Sequence, residues 1–172
     1  DTPLKVEDVD LDNPNAREVR VKIIANGVCH SDYSVIHGVI RSKLPVVPGH
    51  EGAGIVEEVG SAVTLVKPGD HVVLSLAPYC GHCFYCSIGR FVLCNNMFMT
   101  MVKGTMVDGT CRLKKDGKDI YHMAGVSSFA EHAIIDEAAC IKIPDEVPLD
   151  KACLVGCGVM TGVGAVINTA KV

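Results

Sequence analysis

The stretch CGHCFYCSIGRFVLC, residues 80–94, places four cysteines within fifteen positions. Two, two and seven residues separate successive cysteines. Close CxxC spacing lets neighbouring thiolates converge on one ion, and four sulfurs complete a tetrahedral zinc shell with no open position. Metal binding also supplies folding free energy to a loop that has little apolar core of its own. The spacing therefore predicts a structural zinc site whose ligands are Cys80, Cys83, Cys86 and Cys94.

Three other interpretations of these thiols stay open. Four thiolates also ligate iron–sulfur clusters. A second alternative is a redox CxxC pair, although that chemistry needs only two cysteines. The third is that buried thiols cluster here by chance, which would not explain the regular CxxCxxC spacing. We interpret His82, which lies inside the lobe, as an exposed polar residue rather than a fifth ligand.

Bulk composition limits the class of protein. The chain has 172 residues, of which 48% are hydrophobic, so it is long enough for one well-buried domain. A formal net charge of −4 without a basic block argues against a nucleic-acid-binding protein. The apolar run at residues 152–167 contains four glycines and is too short for a typical membrane span. The acidic N-terminus does not resemble a signal peptide, and nine cysteines favour a reducing compartment, so a cytoplasmic location is expected.

Short strands separated by turn residues dominate the rest of the chain. One short helix is predicted after Cys29, capped by Ser31 or Asp32 and ended by Gly38, and another is predicted to begin at Asp150. Residues 95–127 form a long excursion with short strands. Several strands at irregular spacing predict a mainly β, barrel-like domain. The predicted strands are 19–25, 54–60, 71–77, 129–135 and 140–143.

Three weaker motifs carry further candidate metal ligands: GVCHSD at 27–32, PGHEGAG at 48–54 and VGCGVMTG at 155–162. Taken singly, Cys29, His50 and Cys157 are ordinary packing residues. Together, two thiolates and one imidazole match a catalytic zinc shell that keeps a fourth position open for water or substrate. Spacing alone does not show that the three residues meet in space.

These motifs, with the four-cysteine lobe, occur in the order found in zinc-dependent alcohol dehydrogenases of the medium-chain dehydrogenase/reductase family, which the chain resembles over essentially its whole length. The resemblance implies a GroES-like twisted β-barrel with a few short helices. Residues 1–155 would form this catalytic domain, including the zinc lobe at 79–95. Residues 156–172 would begin the connection to a nucleotide-binding domain that the chain lacks.

The same resemblance assigns roles to individual residues. Ser31 would hydrogen-bond the substrate alcohol and start a proton relay, and Asp32 would hydrogen-bond the metal-ligating histidine. Glu51 would lie behind the metal as a possible transient ligand. His30 would lie near the cofactor pyrophosphate, and Thr161 would touch the nicotinamide. The catalytic zinc ligands would be Cys29, His50 and Cys157.

Some positions depart from the family pattern, and others do not decide which alcohol is the substrate. Ser34 stands where some members carry a histidine at the outer end of the relay. Leu76 and Phe129 fall where the family lines its substrate pocket, and both are apolar. The remaining thiols, Cys111, Cys140 and Cys153, match no ligand position and are predicted to pack in the core.

The resemblance implies a function for a longer polypeptide. The expected activity is oxidation of small alcohols to aldehydes or ketones by hydride transfer to NAD or NADP, with two zinc ions per chain and a homo-oligomeric full-length enzyme. No GxGxxG unit follows a strand here, so this fragment alone is expected to be inactive. Two alternatives stay open: a formaldehyde or glutathione-adduct dehydrogenase of the same family, and a non-enzymatic zinc-binding GroES-like module.

Overall fold

The computed structural model describes residues 4–172, in which nine strands form two sheets. The larger sheet has the order β8-β2-β4-β5-β9, and the smaller has the order β1-β6-β7-β3. The strands are β1 Asp10–Leu11, β2 Glu18–Asn26, β3 Val46–Val47, β4 Gly52–Val59, β5 His71–Leu74, β6 Leu113–Lys115, β7 Lys118–His122, β8 His132–Asp136 and β9 Cys140–Lys142.

Short helices lie between and after the strands. The α-helices are α1 His30–Ile36, α2 Phe84–Ser87, α3 Leu149–Ala152 and α4 Gly158–Gly164. Single turns of 3₁₀-helix cover Phe91–Leu93, Glu137–Ala139 and Cys153–Gly156, and π-helical turns cover Phe98–Lys103 and Ala165–Ala170. The predicted mainly β class with a few short helices is confirmed.

The larger sheet curls because its central pair is irregular. Strands β2 and β4 pair antiparallel from Val19↔Val59 to Asn26↔Gly52, with register shifts after Arg20 and after Ile23. Such bulges bend a strand and increase its twist. The two backbones also approach closely, since a Cβ on Gly54 would lie 2.1 Å from the carbonyl oxygen of Lys22.

Alternating apolar residues of this sheet form the core. Fully buried side chains each contribute about 1.5–3 kcal/mol relative to an exposed position. Buried side chains of β2, β4, β5 and β8 pack together in one apolar interior. Val126, from the segment between β7 and β8, packs against them. The main cluster contains Val19, Val21, Val56, Val72, Leu74, Val126 and Ile135.

Four local predictions differ from the structure. The strand expected over 129–135 begins only at His132, because Phe129 N–H donates to the Pro48 carbonyl at 3.0 Å and not to a neighbouring strand of the sheet. Helix α1 is capped by Cys29 rather than by Ser31 or Asp32, and the Asp32 carboxylate turns back to accept the Cys29 N–H at 3.0 Å. The strand expected over 71–77 ends at Leu74. Beyond it, Ala77 N–H donates to the Ser75 hydroxyl at 3.2 Å and not to a neighbouring strand. The last predicted helix begins at Leu149, one residue early, and tightens into a 3₁₀ turn at Cys153.

No single helix in residues 4–172 has the length and apolar composition needed to cross a membrane. The two helical runs Leu149–Gly156 and Gly158–Ala170, which meet at 54°, meet those criteria only when they are taken together.

Candidate metal centres

The four cysteines of the lobe converge on one point. The sulfurs of Cys80, Cys83, Cys86 and Cys94 all lie within 4.8 Å of one another. Sγ of Cys80 is 4.0 Å from Sγ of Cys86, and Sγ of Cys83 is 3.9 Å from Sγ of Cys94. A tetrahedron with zinc–sulfur bonds of about 2.3 Å has sulfur–sulfur edges of about 3.8 Å. The donor set therefore fits one zinc ion with a closed shell.

Backbone N–H groups of the lobe point at these sulfurs. Cys80 N–H donates to the sulfur of Cys94 at 3.2 Å, and Cys83 N–H donates to the sulfur of Cys80 at 3.3 Å. The N–H groups of Asn95 and Cys86 lower the pKa of Cys83 to about 6. Oriented N–H dipoles favour thiolates, which are the form that binds metal. His82 lies outside the group, since its exposed ring bonds the Cys80 carbonyl through Nδ1 at 2.8 Å.

A second set of donors comes from three distant segments. Cys29 stands at the start of α1, His50 and Glu51 precede β4, and Cys157 lies between a 3₁₀ turn and α4. One ligand atom from each of these four residues lies within 4.8 Å of the others. The fold thus brings together the three residues that the sequence proposed, with a carboxylate beside them. Two sulfurs, one imidazole and an adjacent carboxylate fit a zinc ion whose shell is open on one side.

Asp32 links this site to its surroundings. Its side chain is 0% exposed, and Oδ1 lies 3.2 Å from His50 Nδ1 while also accepting the Gly49 N–H at 3.0 Å. Burial alone would raise the pKa of Asp32, but the hydrogen bond and charge of His50 and the backbone N–H groups outweigh it and lower that pKa. With Nδ1 donating to this carboxylate, His50 presents Nε2 as the free nitrogen for a metal.

The other predicted site residues lie on the segments that carry the two cysteines of this site. Ser31 is half-buried next to Cys29, and His30 is exposed with Nδ1 3.3 Å from the hydroxyl of the buried Ser34. Thr161 is one helical turn beyond Cys157, where its N–H donates to the Cys157 carbonyl at 2.8 Å.

An aromatic ring stands directly against the ligand-bearing loop. Gly49 has a φ of +94°, and a Cβ there would lie 2.6 Å from Cδ1 of Phe129 and 2.5 Å from the Phe129 nitrogen. Phe129 N–H donates to the Pro48 carbonyl at 3.0 Å. Only glycine suits both the left-handed backbone and this close approach, so Gly49 lets the Phe129 ring pack against the loop that carries His50. Leu76 is half-buried where the chain leaves β5 for the lobe.

Two residues of the site were missed by sequence reasoning. Gly158 N–H donates to Oε1 of Glu51 at 2.9 Å. Gly27 provides the space for the other oxygen, since a Cβ there would lie 2.1 Å from Oε2 of Glu51. A glycine within two residues of a cysteine looks like an ordinary turn residue in one sequence, so no signal distinguished these two positions.

Comparisons with known proteins agree with this geometry. Residues 15–145 match the family described as the alcohol dehydrogenase GroES-like domain. An alcohol dehydrogenase class-3 from Drosophila melanogaster is 47% identical over 171 residues, which are 99% of this chain and 45% of the relative. An S-(hydroxymethyl)glutathione dehydrogenase from Komagataella pastoris is 46% identical over 170 residues, which are 98% of this chain and 45% of the relative.

Two solved structures are also similar. An alcohol dehydrogenase zinc-binding domain protein from Burkholderia ambifaria has a TM-score of 0.91 and 39% identity, covering 99% of this chain and 46% of the other. A benzyl alcohol dehydrogenase from Acinetobacter calcoaceticus has a TM-score of 0.85 and 38% identity, covering 95% of this chain and 44% of the other. The chain spans about half the length of the curated relatives that it matches.

Proposed function

The match over residues 15–145 shows that the chain belongs to the alcohol dehydrogenase GroES-like domain family, and on that premise we propose that it is the catalytic-domain part of a zinc-dependent alcohol dehydrogenase. The observation that carries the proposal is the convergence of Cys29, His50 and Cys157 from three distant segments. Residues 1–155 would be the catalytic domain, and residues 156–172 would lead to the remainder of a polypeptide about twice as long.

The complete protein would oxidise alcohols to aldehydes or ketones by hydride transfer to NAD or NADP. A zinc ion at the second site would supply Lewis acidity, which lowers the pKa of a bound alcohol. In the proposal Cys29, His50 and Cys157 hold that ion, and Asp32 keeps the imidazole of His50 in the metal-binding tautomer. The four-cysteine site would be structural, because a closed shell leaves no position for substrate.

The proton and the cofactor would be handled by groups at the start of α1 and in α4. The hydroxyl of Ser31 is assigned to accept the alcohol's hydrogen bond and pass its proton outward. His30 and Thr161 are assigned to the cofactor pyrophosphate and the nicotinamide. Because Ser34 bonds His30 and replaces the histidine of some relatives, the outer relay step would use solvent or another group.

A second candidate, oxidation of a glutathione adduct, is favoured by the name of one relative. The Komagataella protein, at 46% identity, is an S-(hydroxymethyl)glutathione dehydrogenase. Leu76 and Phe129 stand at positions where the family lines its substrate pocket, and their apolar side chains favour instead an uncharged alcohol. Initial rates of the full-length enzyme with benzyl alcohol and with S-(hydroxymethyl)glutathione, each with NAD, would separate the two substrates.

Metal analysis tests the proposal against a non-enzymatic zinc module. We expect about two zinc ions per chain, one of which is lost when Cys29, His50 and Cys157 are all replaced by alanine. The matched variant is Cys83→Ser, which should lose the other ion and keep the first. A wild-type chain that holds a single zinc ion, and still holds it after the triple replacement, would overturn the enzymatic proposal.

A further inference from the structure

The carboxylate of Glu51 lies between the two chain segments that carry the thiols of the second site. Gly27 stands two residues before Cys29, and Gly158 directly follows Cys157. Glu51 touches both glycines, and it is 3% exposed. One buried side chain therefore bridges segments that are 131 positions apart in the sequence, from 27 to 158.

Both ends of Glu51 contribute to this bridge. Its backbone carbonyl accepts the Gly27 N–H at 2.9 Å, and its Oε1 accepts the Gly158 N–H at 2.9 Å. Oε2 occupies the space that a side chain at position 27 would fill, 2.1 Å from the ideal Cβ position. Cδ2 of Leu154 lies 2.8 Å from the same position, and real Cβ atoms essentially never approach other heavy atoms within 3.0 Å, so any side chain at position 27 would force both the carboxylate and Leu154 to move.

The turn before Cys157 packs against β5, since a Cβ on Gly156 would lie 2.5 Å from the Leu74 carbonyl oxygen, but Cys157 itself lies outside regular structure. Cys157 has φ −144° and ψ −71°, outside the helices on either side of it, and α4 has no side-chain cap from its own N-terminal residue. The bond from Gly158 N–H to the Glu51 carboxylate is part-buried, and a carboxylate acceptor gives the stronger kind of hydrogen bond. Cys29 and His50 are instead tied together by Asp32.

We propose that Glu51 is a positioning residue that clasps the Cys157 segment to the Cys29 segment, with Gly27 as the glycine whose missing side chain makes room for the clasp. Asp32 sets the distance between Cys29 and His50, and Glu51 sets the distance from these two to Cys157. The inference rests on the proposed metal site. It differs from metal ligation by Glu51 because the work is done through Gly158 N–H and the space at Gly27, not through a bond to the ion.

The test measures metal affinity rather than turnover. The full chain would be prepared as wild type and as Gly27→Ala, Glu51→Ala, Glu51→Gln and the double variant Gly27→Ala/Glu51→Ala. The matched glycine control is Gly162→Ala, since a Cβ at this helical position meets nothing within 4 Å. Zinc stoichiometry, competition with a chromophoric chelator, and the d–d absorption of Co²⁺ in the exchanged protein would be recorded.

We expect Gly27→Ala and Glu51→Ala each to weaken the second zinc site by about 10- to 100-fold, the range found when partners of metal ligands are removed. Glu51→Gln keeps an oxygen for Gly158 N–H and should lose less than threefold. The double variant should lose clearly less than the sum of the two single losses, because the carboxylate that Gly27→Ala would displace is already absent and only the contact with Leu154 remains. Gly162→Ala should match wild type, and the four-cysteine lobe should keep its zinc throughout.

Three outcomes would overturn the clasp while leaving the proposed function intact. These are wild-type affinity in Gly27→Ala, equal losses in Glu51→Gln and Glu51→Ala, and additive losses in the double variant. If Gly27→Ala does not fold, the comparison of Glu51→Gln with Glu51→Ala decides alone, since Gln has nearly the same shape as Glu. A wild-type chain with only the lobe zinc would instead remove the proposed metal site, and the clasp with it.

Discussion

His122 makes the folded protein sensitive to acid. Its ring is 2% exposed, and Nε2 accepts the Arg112 N–H at 3.0 Å, so the neutral ring carries its proton on Nδ1. Nδ1 has no hydrogen-bond partner among residues 4–172. Burial, with a smaller repulsion from the Arg112 guanidinium that Asp108 partly offsets, lowers the pKa of His122 from 6.5 to about 4.

The magnitude follows from linkage between protonation and folding. Above pH 6.5 the ring is neutral in both the folded and the unfolded chain, so its titration does not lower the free energy of unfolding. As the pH falls from 6.5 to about 4, His122 is protonated in the unfolded chain but stays largely neutral in the folded chain. Each pKa unit is worth about 1.4 kcal/mol, so His122 should remove about 3 kcal/mol from the free energy of unfolding across this window.

The assay compares urea unfolding at a series of pH values between 7 and 4 for wild type and His122→Gln. Glutamine retains an acceptor for Arg112 N–H and does not titrate, so the variant should lose about 3 kcal/mol less than wild type over this range. The exposed His37, replaced in the same way, is the control and should keep the wild-type slope. Equal slopes in wild type and His122→Gln would refute the reasoning, as would an NMR titration midpoint for His122 above pH 6.

Three further changes test the packing. Arg112 and Glu18 form a buried ion pair at 2.7 Å, with side chains 5% and 8% exposed. Arg112→Met leaves the Glu18 charge buried without its partner, so it should lower the free energy of urea unfolding by about 3–5 kcal/mol. Adding Glu18→Leu removes that charge and should restore most of the loss. Leu74→Ala should cost about 2–5 kcal/mol because Leu74 is fully buried, whereas Leu65→Ala, at a 54% exposed position, should cost under about 0.5 kcal/mol; equal losses would contradict the assigned core. Gly54→Ala places a methyl group against a carbonyl of β2 and should speed amide exchange along that strand; wild-type exchange would show that the strands separate freely.

Local sequence features were enough for the lobe and for most strands. Cys80, Cys83 and Cys86 are so close in the chain that their convergence needs little tertiary structure, and the structure places their sulfurs with Cys94 within 4.8 Å. Alternation and turn residues likewise located β2 and β4, because the side-chain period of a strand is visible in any half-buried segment.

Local contacts that compete with regular structure caused the errors in element bounds. The Ser75 hydroxyl draws the chain out of the ladder after Leu74, and the Asp32 carboxylate turns back onto Cys29. Ser and Asp side chains can accept hydrogen bonds from several nearby backbone N–H groups, in caps or in turns. One sequence therefore does not show which of these bonds will form.

By itself, the sequence determined the kind of chemistry: clustered thiolates for a closed metal site, and motifs whose order identifies the family. Only the tertiary structure decided that Cys29, His50 and Cys157 meet, that Asp32 orients His50, and that Glu51 ties Gly27 to Gly158. The physical reason is that residue spacing limits geometry only over a few positions. Across more than a hundred positions, the antiparallel pairing of β2 with β4 and the packing of the Cys157 segment set the distances.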